Sequence, residues 1–293
     1  MKIKRSIGER IFGIFNTLFM LCIILVMVYP LLYTIFASLS EANRFMAHEG
    51  ALIAPLGFSF KAYEAMAKNP MIFRGFMNTI FIVVAGTALN IVLTALGAYV
   101  LSTKGLMFKK MITLFIVTTM YFSGGIIPMY FNVVNMGMEN TYWAIILPTA
   151  INTFNLIVMK SGFDSVPVSM RESAYIDGAG DWRILFQIMI PLARATVAVM
   201  VLYYCVDHWN SWFNEALFLN DRNLYPLQLI LREILVQNDT SAMSQGAMME
   251  DQVAISETIK YAVTVTSILP ILCVYPFLQK YFEKGVMVGA IKE

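Results

Sequence analysis

The chain runs to 293 residues, 58% hydrophobic and only 14% charged, where an ordinary soluble domain carries about 25% charged residues. That deficit points to a membrane protein, and a net charge of +2 is too small to argue for a nucleic-acid partner. Cys22, Cys205 and Cys273 each lie in an apolar run, so they read as small buried hydrophobes and not as a disulfide framework.

A basic terminus, residues 1–10, opens with MKIKR. The apolar run behind it, Ile11–Leu39, exceeds the roughly 7–15 residues of a signal-peptide core and is expected to be a retained first span. A bilayer takes about 20 apolar residues of helix to cross. Ile11–Leu39, Phe76–Leu101, Met111–Phe131, Tyr142–Met159, Ala195–Leu219 and Ile259–Phe282 meet that length. Runs this long read as helices, because lipid offers no partner for open backbone groups. The expectation is an all-α membrane protein with six spans over 11–282.

Charge sets the orientation. With both termini inside the cell, the inner segments carry about twice the lysine and arginine of the outer ones, as in Lys104, Lys109 and Lys110 after the second span. Both termini are therefore expected in the cytoplasm, with outer loops at 40–75 and 220–258. The second of these is acidic and contains a polar, aperiodic stretch that reads as exposed.

Polar residues inside spans bond between helices or meet a substrate. Asn78 and Asn90 in the second span, and Asn152 and Asn155 on one face of the fourth, stand open to both readings.

Between spans four and five lies a polar island, residues 161–194, containing VPVSMRESAYIDGAGDWRILFQIMIP. Ser169 and Glu172 have capping-box spacing, which predicts a helix start at Ser169. Gly178 and Gly180 should end that helix, and Asp181 should cap a second one. Ile184, Leu185, Ile188 and Met189 then recur at helical spacing up to Pro191. The island reads as helix, glycine turn, helix, lying outside the bilayer. It is either a plain connector or a docking element for a cytoplasmic partner.

In span five, Asp207 lies about 20 Å along the helix from Arg194. A charge at that depth is a functional candidate by default. Trp209, Asn210 and Trp212 follow it. Aromatic faces and amides suit sugars, though tryptophan also gathers at membrane interfaces without any ligand.

The chain carries no G-x-x-x-x-G-K-[ST] loop, no H-E-x-x-H, no C-x-x-C and no G-x-S-x-G. With only two histidines, a metal site is not expected.

The stretch ESAYIDGAGDWRILFQIMIP resembles the EAA loop of ABC importer permeases. It matches at Glu172, Ala174, Asp177, Gly178, Ala179, Phe186, Ile188 and Pro191, with Ser173 where alanine is usual and Ile190 where leucine is usual. HWNSWFNEALFL, His208 to Leu219, is similar to a fifth-span motif of carbohydrate permeases. The C-terminal YPFLQKYFEKGVMVGAIKE resembles the tail of the second permease of maltose-type importers, in the branch that handles complex oligosaccharides.

The resemblance implies a type I importer permease fold in a bacterial cytoplasmic membrane. It implies that Glu172, Ser173, Ala174, Asp177, Gly178, Ala179, Phe186 and Pro191 form a coupling helix seated in a separate ATPase dimer, which holds the ATP and magnesium. This chain would itself bind no cofactor and catalyse nothing. A second permease would complete the pore, and an extracytoplasmic binding protein would deliver an oligosaccharide. The loop after span five would reach that binding protein, and the tail 283–293 the ATPase. A stand-alone secondary transporter and an intramembrane enzyme are the competing classes. The first would show paired inverted repeats; the second would need a convergent nucleophile, metal or acid pair inside the spans.

Overall fold

The structure is a computed structural model that describes residues 7–237, 257–273 and 276. The tail 283–293 and residues 238–256 of the 220–258 loop lie outside the described residues. Two compact units divide the chain, one over Met1–Pro70 with Glu233–Ile268, the other over Met71–Arg232 with Leu269–Glu293. The described residues are helical apart from loops and one isolated bridge between Ser40 and Phe58.

In the first unit, helix α1 (Ile7–Ser38) matches the first predicted span. Its apolar side chains are exposed from Ile11 through Val28 apart from the half-buried Ile23, as expected of a rod whose solvent is lipid. The short helices α2 (Ala42–Met46) and α3 (Lys61–Lys68) fill the predicted outer loop. Tyr33, Phe45 and Tyr261 form an edge-to-face trio with centroids 5.3–6.3 Å apart. Ser38 and Tyr63 share a 2.8 Å hydrogen bond.

The second unit opens with α4 (Pro70–Ser102), the second predicted span, with proline at the helix start where a missing N–H costs nothing. The third, fourth and fifth predicted spans are each broken, which corrects the expectation of continuous rods. The third resolves into α5 (Lys109–Thr118) and α6 (Ile126–Asn135). Between them Gly125 has φ 88°, a conformation open mainly to glycine. The fourth resolves into α7 (Trp143–Ile146) and α8 (Thr153–Asp164), parted by a stretch that includes Pro148.

Next come α9 (Val168–Ile176), α10 (Asp181–Ile184), a π-turn over Leu185–Met189 and α11 (Ile190–Leu192). At Ala193 the chain bends by 88° into α12 (Arg194–Asn210). Pro191 sits in α11 directly behind the π-turn, and the corner falls two residues later. Extended backbone at Ser211 separates α12 from α13 (Phe213–Phe218). A 3-10 turn at Arg222–Leu224, α14 (Leu227–Gln237) and α15 (257–273) complete the description. Among the described residues, two helices are long and apolar enough to span alone, α1 and α4, and the bent pair makes up to three. Cys22 and Cys273 lie exposed on apolar helices, not buried as the sequence suggested, and Cys205 is half-buried.

Asn90 holds the fourth-span break in place. Its side chain is fully buried, and its Nδ2 donates to the carbonyls of Thr149 and Ala150 at 2.8 and 2.9 Å. Those two bonds require the NH2 group on that side. The remaining Oδ1 therefore accepts from His208 Nε2, 2.7 Å away. The imidazole fits because residue 86 is glycine: a Cβ there would stand 2.5 Å from His208 Nε2. One amide thus ties α4, the break and α12 together. Asn90→Leu should cost about 2 kcal/mol or more, since it strands two carbonyls and a ring N–H. Thermal unfolding of the purified chain in detergent should show a Tm several degrees lower. An unchanged Tm would mean that water substitutes for the amide.

Candidate functional site

The polar island folds as predicted in outline and differs at its caps. Helix α9 starts at Val168 with Pro167 in the capping position, and its cap makes no side-chain hydrogen bond. Ser169 sits inside the first turn, so the expected capping box does not form. Gly180, not Asp181, occupies the cap of α10. Gly178 ends α9 as predicted. It has φ 78°, its N–H reaches Tyr175 O at 3.0 Å, and the N–H of Ala179 reaches Ala174 O at 2.9 Å. That pair of bonds is a Schellman motif, which needs the left-handed residue at Gly178.

The island has a buried face and a bare one. Ala174, Ile184, Leu185 and Met189 are buried in one cluster with Tyr99 and Leu101 of α4 and Met159 and Phe163 of α8. Each of the larger side chains contributes about 1.5–3 kcal/mol by leaving water. Glu172, Ser173, Asp177, Gly178 and Pro191 are exposed, and Ala179 is half-buried. Among the described residues Ile176 is 86% exposed, Trp182 67% and Phe186 45%; Trp182 and Phe186 stack with centroids 6.0 Å apart. The polar island thus leaves a stacked aromatic pair in the open.

Two side chains fasten the island to the end of α4. Arg171 Nη2 donates to Ser102 Oγ at 2.9 Å, and its guanidinium lies 4.9 Å from the Tyr99 ring centroid. The Asp181 carboxylate accepts from Tyr99 Oη at 2.7 Å and from Tyr175 Oη in a shorter bond. These donors, Tyr175 foremost, then Tyr99 and the Arg171 charge, hold the Asp181 carboxyl below the usual carboxylate range. The sequence reading missed both fasteners, because Tyr99 lies far from them along the chain.

The polar residues of the spans fall into three groups. Asn78 Nδ2 donates to the carbonyls of Asn223 and Tyr225 at 2.8 and 3.0 Å, strapping the segment after α13 onto α4. Asn90 is spent as described above. Asn210 Nδ2 donates back to Val206 O at 2.9 Å, and Trp212 carries the Arg232 guanidinium 4.3 Å from its ring centroid.

Asn152, Asn155, Asp207 and Trp209 come together around a cavity of about 650 Å³ that Tyr203 also lines. Asn152 caps α8 by accepting from Asn155 N at 3.1 Å. Asn155 is buried, and its Nδ2 has no partner among the described residues. Asn152 and Asp207 also line a second cavity of about 380 Å³, beside Tyr204, His208 and Ser211. Asn210 and Trp212 line neither cavity.

Glu215 escaped the sequence reading. It is 1% exposed; Oε2 accepts from Ser211 Oγ at 2.9 Å, and Oε1 has no partner among the described residues. Its signal was a lone acid in the apolar run FNEALF.

No family model matches the chain. Curated relatives do. The polygalacturonan/rhamnogalacturonan transport system permease protein YtcP of Bacillus subtilis is 38% identical over 289 residues, covering 97% of this chain and 99% of that protein. The diacetylchitobiose uptake system permease protein NgcG of Streptomyces coelicolor is 26% identical, covering 98% of this chain and 91% of that protein. A chain from the crystal structure of a bacterial ABC transporter involved in import of the acidic polysaccharide alginate matches with a TM-score of 0.87. It is 30% identical, and the match covers 96% of this chain and all of that one.

The fasteners carry a prediction with a defined pH sign. Asp181 has a lowered folded pKa, so its contribution is complete above the unfolded value of about 3.9 and fades only as pH falls through the folded one. Limited proteolysis of 161–194 should therefore stay flat between about pH 5.5 and 8 in the wild type. Asp181→Asn and Arg171→Met should each speed cleavage several-fold across that range. Cleavage at the wild-type rate in both would mean that burial alone holds the island.

Proposed function

This chain belongs to the permease components of carbohydrate ABC importers, and on that premise we propose that it forms half of an ATP-driven, binding-protein-dependent import pore. The observation that carries the proposal is the shape of 161–194. It is a helix, a Schellman turn and a second helix, buried on one side and bare at Ile176, Trp182 and Phe186, with Glu172 and Asp177 exposed beside them. A partner ATPase dimer, holding the ATP and magnesium, seats that bare tip. Glu172, Ser173, Asp177, Gly178 and Phe186 meet it, while Ala174, Ala179 and Pro191 shape the turn and the corner behind it.

Force then has two routes into the membrane unit: the 88° corner into α12, and the Arg171 and Asp181 fasteners into α4. A second, homologous permease completes the pore. An extracytoplasmic binding protein presents an oligosaccharide to it, and both termini lie in the cytoplasm of a bacterial cell. Asn152, Asn155, Asp207 and Trp209 line the sugar path of this subunit; Asn210 and Trp212 stand near its outer end. Family membership sets aside the stand-alone secondary transporter, although broken spans are a feature that class shares.

ATP hydrolysis by the complex reconstituted in lipid tests this. Sugar-loaded binding protein should raise the rate severalfold, and a variant carrying Asp177→Arg with Gly178→Asp should lose that response while keeping α4 and α12 folded. A chain that never co-purifies with an ATPase would overturn the proposal.

A further inference from the structure

The cavities that meet at Asp207 bear on the charge of the cargo. The larger is lined by Asn152, Asn155, Tyr203, Asp207 and Trp209 among apolar neighbours, and among the described residues none of its lining is lysine, arginine or histidine. The smaller one is lined by one basic side chain, His208, whose Nε2 is already spent on Asn90 Oδ1 at 2.7 Å. The Asp207 carboxylate is exposed and has no hydrogen-bond or ion-pair partner among the described residues. A carboxylate at this depth does not face lipid; it faces a polar cavity or a partner charge. Here it faces two cavities that share it, both within the size range of ligand sites. Asn155 also lines the larger cavity, with its Nδ2 buried behind the wall and without a partner among the described residues.

We propose that Asp207 is a specificity determinant of the sugar path, accepting hydrogen bonds from hydroxyls of a neutral oligosaccharide and turning away sugars that carry carboxylates. The proposal rests on the permease reading above and deepens it. An ionised carboxylate accepts from several hydroxyls and donates to none, so a neutral glycan satisfies it. A uronate brings like charge into a site of low dielectric, where screening by water and salt is weakest. Tyr203, half-buried, lines the same wall.

The test uses the whole complex in nanodiscs, trapped with ATP and vanadate and freed of binding protein, so that selection upstream does not contribute. Two probes of equal length are compared, galactotriose and trigalacturonate, which differ only in oxidation at C6. Wild type should bind the neutral trimer at least about tenfold more tightly. Asp207→Asn should shrink that ratio severalfold, mainly by strengthening trigalacturonate binding, and Asp207→Glu should restore the preference.

Equal or tighter binding of trigalacturonate by wild type would overturn the proposal. So would a ratio unmoved in Asp207→Asn, which would place the carboxylate against a base of the second permease. Failure of both trimers to bind would also overturn it, because the cavity would then hold no sugar. The permease reading is judged separately, by co-purification of the same complex with its ATPase, and survives any of these results.

Discussion

Everything in the second unit hangs on how a broken helix is tolerated in lipid. Each backbone N–H and C=O inside a bilayer needs a partner, and a break in a helix orphans several at once. Asn90 answers this for the fourth span. Its amide takes the carbonyls of Thr149 and Ala150, and its oxygen is held by His208. Once that break is secure, α8 can start afresh at Thr153 with Asn152 as its cap. The restart is what brings Asn152 and Asn155 to the cavity that Asp207 also lines. The polar tie inside the bundle thus underlies the cavity beside it.

The island at 161–194 works by the same division of labour outside the bilayer. Burial of Ile184, Leu185 and Met189 fixes where it sits. The Arg171 and Asp181 contacts fix how it is turned, because a guanidinium and a carboxylate impose direction where apolar packing imposes little. What remains exposed at Trp182 and Phe186 is therefore presented in one orientation.

Much of this was legible along the chain. The long apolar runs, the glycine stop at Gly178 and the polar island all follow from local rules: hydropathy, backbone freedom and helix spacing. The breaks were missed because each lies inside a run long enough to span, although Ser123-Gly124-Gly125, Pro148 and Asn210-Ser211 marked them locally. The caps of α9 and α10 went wrong for a related reason. Ser169 and Asp181 obey local capping rules, but Pro167 starts the first helix earlier and two tyrosines claim Asp181. The roles of Asn78 and Asn90 likewise depend on partners dozens of residues away, which no periodicity encodes. Asp207 could be singled out by depth alone, whereas the company it keeps in space could not.

The contact between Gly86 and His208 has a consequence for how such a sequence drifts over generations. A side chain at 86 and an imidazole at 208 occupy the same volume. A lineage cannot gain the first without already having lost the second, and losing the second leaves the Asn90 oxygen without its donor. Positions 86, 90 and 208 therefore form one heritable unit spread over two helices. The order in which they change is constrained even where each single change looks mild.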